Sequence, residues 1–174
     1  MIWRRPGRKS EEGTFEIDQA ELKRILKYDP ETGLWTRLIS AGGQKAGSTT
    51  LGWLCENGHF YIRAFRKLYQ SSRLAWFYTY GEWPSCEVDH IDLDTGNNRL
   101  NNLRVATRSQ NGANRRAQRN NTSGLKGVWR HKQMHKWCAE VGHKKLGLYD
   151  CPAAAHLAYV VEHDKVYGEF SRTR

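Results

Sequence analysis

Apolar positions change period several times along the chain, and each change marks an element. From Asp18 to Lys27, Ala20, Leu22, Ile25 and Leu26 recur at helical spacing, with Asp18 placed as N-cap and Glu21 three residues later, as in a capping box. Tyr28 to Gly33 (YDPETG) is a turn signal, Leu34–Leu38 predicts a strand, and AGGQKAGST after it predicts a loop. Leu51–Cys55 and Phe60–Phe65 predict two further strands around Asn57-Gly58. Over 67–80, Leu68, Leu74, Ala75 and Phe77 predict a helix closed by Gly81 and Pro84. Val88–Ile91 and Leu103–Val105 predict short strands either side of a loop rich in Asn, Asp and Gly. Thr107 then caps a helix expected to run to about Arg119. The polar stretch Asn120 to Gly124 reads as a linker. Beyond it, residues 126–131, 137–141 and 144–149 predict three strands, and Pro152 to Tyr167 one Ala-rich helix with Pro in its first turn. The division expected is a basic flexible arm over 1–13, one module over 14–120 and a second over 121–174.

Charge adds a partner. The 174 residues hold 28 Lys and Arg against 18 Asp and Glu, a net charge of +10, which points to an acidic partner: nucleic acid first, an anionic membrane surface second. No run of 18 apolar residues exists, and the basic start MIWRRPGRKSEEG has no apolar stretch behind it, so neither a membrane span nor a secretory signal is expected. Cys55, Cys86, Cys138 and Cys151 stand far apart with no CxxC pair, which predicts reduced, mostly packed thiols in a cytoplasmic protein.

The most specific stretch is VDHIDLDTGNNRLNNLRVATRSQN, residues 88–111. It places Asp89 beside His90, with Asn102 twelve residues after the histidine and Asn111 nine further on. Phosphodiester hydrolysis needs an activated water and neutralisation of developing charge. A histidine can take a proton from water near neutral pH, and carboxylate and carboxamide oxygens suit a hard divalent ion such as Mg²⁺ or Mn²⁺. Neighbours on one strand face opposite ways, so both reach one site only if the strand bends or ends there. Asn102 could then bond the intervening loop and orient His90. A plain turn-rich loop reads the same way.

The longer stretch VDHIDLDTGNNRLNNLRVATRSQNGANRR resembles the HNH, or His-Me finger, endonucleases, particularly phage and intron-encoded ones, and the likeness extends upstream through YDPETGLWT and SRLAWFYTYGEWPSCEVDHID. The resemblance covers about residues 20–116. It implies two strands and a helix around one divalent ion, Mg²⁺ with Mn²⁺ as an alternative. Asp89 is then a metal ligand, His90 the general base, Asn102 the residue that fixes the histidine loop, and Asn111 the second metal ligand. Relatives carry His where this chain has Ser72.

Between Arg115 and Lys145 nine basic residues accompany one acid, Glu140, with Trp129 and Trp137 interleaved, which favours a DNA-tracking surface. SGLKGVWRHKQMHKWCAEV and the KKLGLYDCPAAAHLAYVVEHDKVYGEFSR that follows resemble the ethylene-response-factor type DNA-binding domain. That likeness implies a three-stranded sheet on DNA, with Lys126, Trp129, His131 and Lys145 facing it and Arg130 and Lys132 as backbone contacts. Arg115, Arg116 and Arg119 join the basic set. Family Arg positions are Trp, His or Lys here, poorer readers of guanine, so no target sequence carries over.

The expectation is an α+β protein: a ββα-metal (His-Me finger) nuclease module followed by a small three-stranded antiparallel sheet packed on one helix. Its expected activity is metal-dependent, site-selective cleavage of double-stranded DNA of the homing type, nicking one strand per monomer, as a monomer or weak dimer in the bacterial host cytoplasm. No small-molecule substrate or membrane partner is expected. The alternative is a sequence-specific DNA-binding regulator with a weak or silent nuclease module.

Overall fold

Asp18 opens the first helix, α1 (Gln19–Ile25), its side chain accepting from the Ala20 N–H at 3.0 Å. The computed structural model describes residues 17–118 and 120–173, so the expected arm over 1–13 and Arg119 lie outside the described residues. α1 stops earlier than its spacing predicts, because Leu26 turns extended and Leu26–Tyr28 becomes strand β1. β1 pairs with β2 (Trp35–Arg37), and β2 with β3 (Thr49–Thr50), both antiparallel.

A second antiparallel sheet holds β4 (Trp53–Leu54), β5 (Phe60–Ala64) and β6 (Lys67–Gln70). Here the sequence expectation fails: the first four residues of the helix expected over 67–80 are strand. They fold back on β5 through Phe65 and Arg66, both at positive φ (48° and 63°), the turn geometry that suits strand twist. Pairing with β5 overrides the helical spacing of Leu68. Helix α2 (Ser71–Tyr80) follows and ends at left-handed Gly81.

The stretch that carries the candidate chemistry is a hairpin and a helix. β7 (Glu87–His90) pairs antiparallel with β8 (Leu103–Ala106), in the register Asp89 opposite Arg104 and His90 opposite Leu103. Thr107 and Gln110 form a reciprocal capping box that starts helix α3 (Arg108–Asn114). α3 is shorter than expected, because the chain extends at Arg115 and the carbonyls of Ala113 and Arg115 both accept from the Lys126 ammonium. The last sheet runs β11 (Lys144–Tyr149), β10 (Trp137–Val141), β9 (Val128–Arg130), all antiparallel, with helix α4 (Pro152–Tyr167) packed on one face. The structure is thus α+β with small antiparallel sheets.

Two apolar clusters hold it. The first gathers Leu22, Leu26, Trp35, Ile62, Leu74 and Phe77, each burial worth about 1.5–3 kcal/mol. Trp35 sits at its centre and donates its indole N–H to Ser71 Oγ at 2.9 Å. The second gathers Val128, Ala139, Val141, Ala155 and Tyr159. A β-carbon on Gly127 would lie 2.0 Å from the Tyr159 ring, so glycine is what lets α4 close on the sheet.

All four cysteines are free, but only Cys138 is buried; packing is not their general role. Cys151 caps α4 instead, its sulfur accepting from the Ala154 N–H. Among the described residues, no helix is long and apolar enough to cross a membrane.

Candidate functional site

Asp89 and His90 end strand β7, and both are buried, at 4% and 5% exposure. As neighbours on a strand they take opposite sides. Asp89 meets α3, through Asn114. His90 meets the loop beyond the strand: its Nε2 lies 3.1 Å from Asn98 Oδ1. Asn98 is fully buried, and its amide orientation follows from its other end, where Nδ2 points at the Thr95 carbonyl. Oδ1 therefore faces the ring, Nε2 carries the proton, and Nδ1 is left as the basic nitrogen; this tautomer is assigned from the network. His59 stands behind, its ring centroid 6.4 Å from that of His90. Burial, then electrostatic coupling to the neighbouring His90 ring, holds His59 below the usual histidine range.

Asn102 staples the loop between the strands. Its Oδ1 accepts from the Asp92 N–H (3.1 Å), and its Nδ2 donates to Asp92 Oδ1 (2.9 Å) and the Asn97 carbonyl (2.8 Å). Burial would raise the Asp92 carboxyl, but hydrogen bonds from Asn97, the Asp94 N–H and Asn102 outweigh it and hold the group below the ordinary range. The segment after β1 forms the loop's outer wall. Tyr28 donates to the Asn98 carbonyl at 2.7 Å, and the Leu100 N–H donates to the Pro30 carbonyl at 3.0 Å. Gly33, at φ +74°, lies so near that a β-carbon would sit 2.6 Å from the Asn98 carbonyl carbon.

The α3 side of the strand is a two-rung ladder. Glu87 and Asp89 are two apart on β7 and share a face; Asn111 and Asn114 are three apart on α3 and share another. Asn111 Nδ2 donates to Glu87 Oε2, and Asn114 Nδ2 donates to both oxygens of Asp89 (3.0 and 3.2 Å) and to the His90 carbonyl (2.9 Å). Asn111 thus has Glu87, not Asp89, as its hydrogen-bond partner. A carboxylate only accepts, so the Asn111 amide must turn Nδ2 to Glu87 and its Oδ1 the other way. Across the hairpin, Arg104 grips Asp89 Oδ2 with Nε and Nη2, each at 3.0 Å.

Four residues of this network, Glu87, Asn98, Arg104 and Asn114, were not among the sequence candidates. Arg104 stands opposite Asp89 in a register that the long loop between β7 and β8 hides from sequence, whereas helical spacing would have put Asn114 one turn from Asn111. The oxygens left with capacity, Asp89 Oδ1 and Asn111 Oδ1, are hard donors of the type Mg²⁺ and Mn²⁺ take, so the donor chemistry fits such an ion. Among the described residues no three His, Cys, Asp or Glu side chains gather into a metal-holding group, so any such ion would rest on carboxamide and water oxygens as well.

In the C-terminal sheet, Trp129, His131 and Lys145 have the parity of the face away from α4. Trp129 pairs with Cys138, Lys145 pairs with Glu140, and the Trp129 and His131 rings stack at 5.9 Å. Arg115, Arg116, Arg130 and Lys132 are exposed. Lys126 is a correction to the expected DNA-facing set. Its ammonium is spent on the carbonyls of Ala113 (2.6 Å), Arg115 (2.7 Å) and Arg172 (2.6 Å), and burial, then the Arg172 charge, lowers its pKa to about 8.

Residues 69–113 match the HNH endonuclease family. The HNH segment runs from β6 to the end of α3, and so holds Asp89, His90, Asn102 and Asn111 together. Protein 3.8 of Escherichia phage T7 is similar, 42% identical over 50 residues, 29% of this chain and 41% of that protein. The chain therefore spans less than half the length of this curated relative. No solved structure matches the chain. The HNH match ends before the C-terminal sheet.

Proposed function

We propose that the protein is a divalent-metal-dependent DNA endonuclease, with His90 as general base and the sheet β9–β11 as its DNA-holding surface. One observation carries the reading: His90 lies inside the HNH segment, buried beside Asp89, with Nε2 3.1 Å from the Asn98 Oδ1 that assigns the proton to it. In that state the ring can accept a proton from a water lined up on a phosphate, a contribution of about 10²–10⁴-fold. Asn102 keeps the loop shut around the ring, and Asn98 keeps the proton on the far nitrogen. Asp89 Oδ1 and Asn111 Oδ1 would hold one Mg²⁺ or Mn²⁺, which when bound supplies charge stabilisation to the phosphate and the departing oxygen. Glu87 orients Asn111 for that task, as outer partners of metal ligands commonly do.

The exposed face with Trp129, His131 and Lys145, flanked by Arg115, Arg116, Arg130 and Lys132, supplies affinity, in the manner of the ethylene-response-factor type domains it resembles. One motif per chain supports nicking of one strand by a monomer, and a double-strand break needs two chains or two events. The resemblance further suggests a 5′-phosphate and 3′-hydroxyl product, a homing-type role, and, with a phage relative, work in a host cell's cytoplasm.

A second reading has specific support. Arg104 occupies one oxygen of Asp89, and Ser72 replaces the usual family His, both of which favour a DNA-binding regulator with a weak nuclease. The discriminating experiment incubates supercoiled DNA with the protein in Mg²⁺ or in EDTA, beside His90→Ala. Mg²⁺-dependent open circles, lost in the variant while gel-shift binding persists, are the expected result. Tight binding with no cut in Mg²⁺ or Mn²⁺ refutes the nuclease reading in favour of the regulator.

A further inference from the structure

Arg104 touches two parts of the molecule that sequence places far apart. Its Nε and Nη2 hold Asp89 Oδ2. Its Nη1 donates to the Glu169 carbonyl at 2.6 Å, and its guanidinium carbon lies 4.0 Å from the centroid of the Phe170 ring. Both tail residues belong to the turn after α4, and Phe170 is buried. The tail itself is pinned. Ser171 Oγ donates to Asp164 Oδ1 and lies 2.6 Å from His163 Nδ1, while the Arg172 carbonyl accepts from Lys126, which also binds the end of α3. A strap from the second cluster thus reaches the Asp89 carboxylate through Arg104.

We propose that Arg104 is a positioning residue for Asp89, set by the C-terminal tail. While Glu169 and Phe170 hold the guanidinium, Asp89 Oδ2 is neutralised and Oδ1 alone is presented to a divalent ion. The tail therefore fixes how the ligand is offered and lowers its affinity for the ion. Coupling of this kind is reciprocal, so a bound ion loosens the tail in turn. The proposal rests on the reading of Asp89 as a metal ligand.

The test titrates Mn²⁺ into the full chain and follows free ion by its spin-resonance signal, with no cleavage involved. Wild type, Asp89→Asn, Arg104→Gln, Phe170→Leu and the double Arg104→Gln/Phe170→Leu are compared. Phe170→Leu keeps an apolar side chain in the buried site while removing the ring that faces the guanidinium, so it serves where Arg104→Gln fails to fold. The expected result is Mn²⁺ binding that Asp89→Asn abolishes and Arg104→Gln tightens by about fivefold or more. Phe170→Leu should tighten it by less, and the double should match Arg104→Gln alone. No binding by wild type, or binding that ignores Asp89→Asn, overturns the metal reading and this inference together. Asp89-dependent binding that Arg104→Gln weakens or leaves unchanged, or that Phe170→Leu leaves unchanged, overturns this inference alone. An additive double variant also overturns it, because the tail would then act by another route.

Discussion

Replacing Asn98 with alanine removes the acceptor that His90 Nε2 meets at 3.1 Å and leaves the surrounding frame nearly intact. The Asn98 carbonyl that binds Tyr28 belongs to the backbone and stays, and the lost contact to Thr95, at 3.5 Å, is weak. The buried ring then has two options. It can keep the proton on Nε2 without a partner, at a cost of about 1–3 kcal/mol. Or it can move the proton to Nδ1, which relieves that cost but removes the basic nitrogen. Both options subtract from a general-base contribution of about 10²–10⁴-fold, so a loss of about 10–100-fold is expected. Single-turnover nicking of supercoiled DNA, with enzyme in excess and Mg²⁺ saturating, measures it for wild type, Asn98→Ala, His90→Ala and the double variant. The double should be no slower than His90→Ala alone, and Asn98→Ala should melt at lower temperature. A lowered melting point with an unchanged rate would refute the reasoning, since Asn98 would then only hold the loop. So would a further loss on top of His90→Ala.

Lys126→Met should destabilise the fold by at least about 2 kcal/mol in chemical denaturation, since three carbonyls lose a charged donor. It should leave the salt dependence of DNA affinity unchanged, whereas Lys145→Met should lower that slope by about one. Among the described residues Ser72 Oγ is buried with no hydrogen-bond partner, and the residue is only 1% exposed. Ser72→Ala should therefore stabilise by about 1 kcal/mol in thermal melts, while Ser72→His should overpack the site and cost about 1–3 kcal/mol. Burial, then the Lys126 charge, lowers the pKa of His163 to about 4 despite the opposing pull of Asp164. Between about pH 6.5 and 4 the unfolded chain takes up a proton there that the folded chain refuses. Melting temperature should fall as pH drops through that window, and His163→Gln should flatten the fall; an equal slope in the variant would assign it to other groups.

Where local chemistry decides, the sequence was legible. Asp18 and Thr107 cap their helices as expected, though the reciprocal capping box forms at Thr107 with Gln110 rather than at Asp18 with Glu21, and Pro152 to Tyr167 is a helix with its first residue suited to its start. Where a partner outside the element decides, it was not. Lys67–Gln70 carries helical spacing but has β5 to pair with, and α3 stops at Asn114 because Lys126 waits to bind its carbonyls. The candidate site divides the same way. Spacing could gather Asp89, His90, Asn102 and Asn111 into one stretch, but not tell that Asn111 leans on Glu87 or that Arg104 already holds Asp89. Lys126 shows the limit most plainly, because charge patterning reads a lysine as surface until three carbonyls claim it.

The wall that Tyr28, Pro30 and Gly33 build against the loop after β7 has a consequence for dissection. The segment that matches the family starts at residue 69, yet the backbone carrying Asn98, and with it the partner of His90, leans on residues 28–33. The recognisable motif is therefore not a transplantable unit. Grafted alone into another scaffold it would keep every chemically active side chain and lose the surface that aims one of them. The smallest piece worth excising begins at α1, and a library that randomises this hairpin should leave Tyr28 and Gly33 untouched.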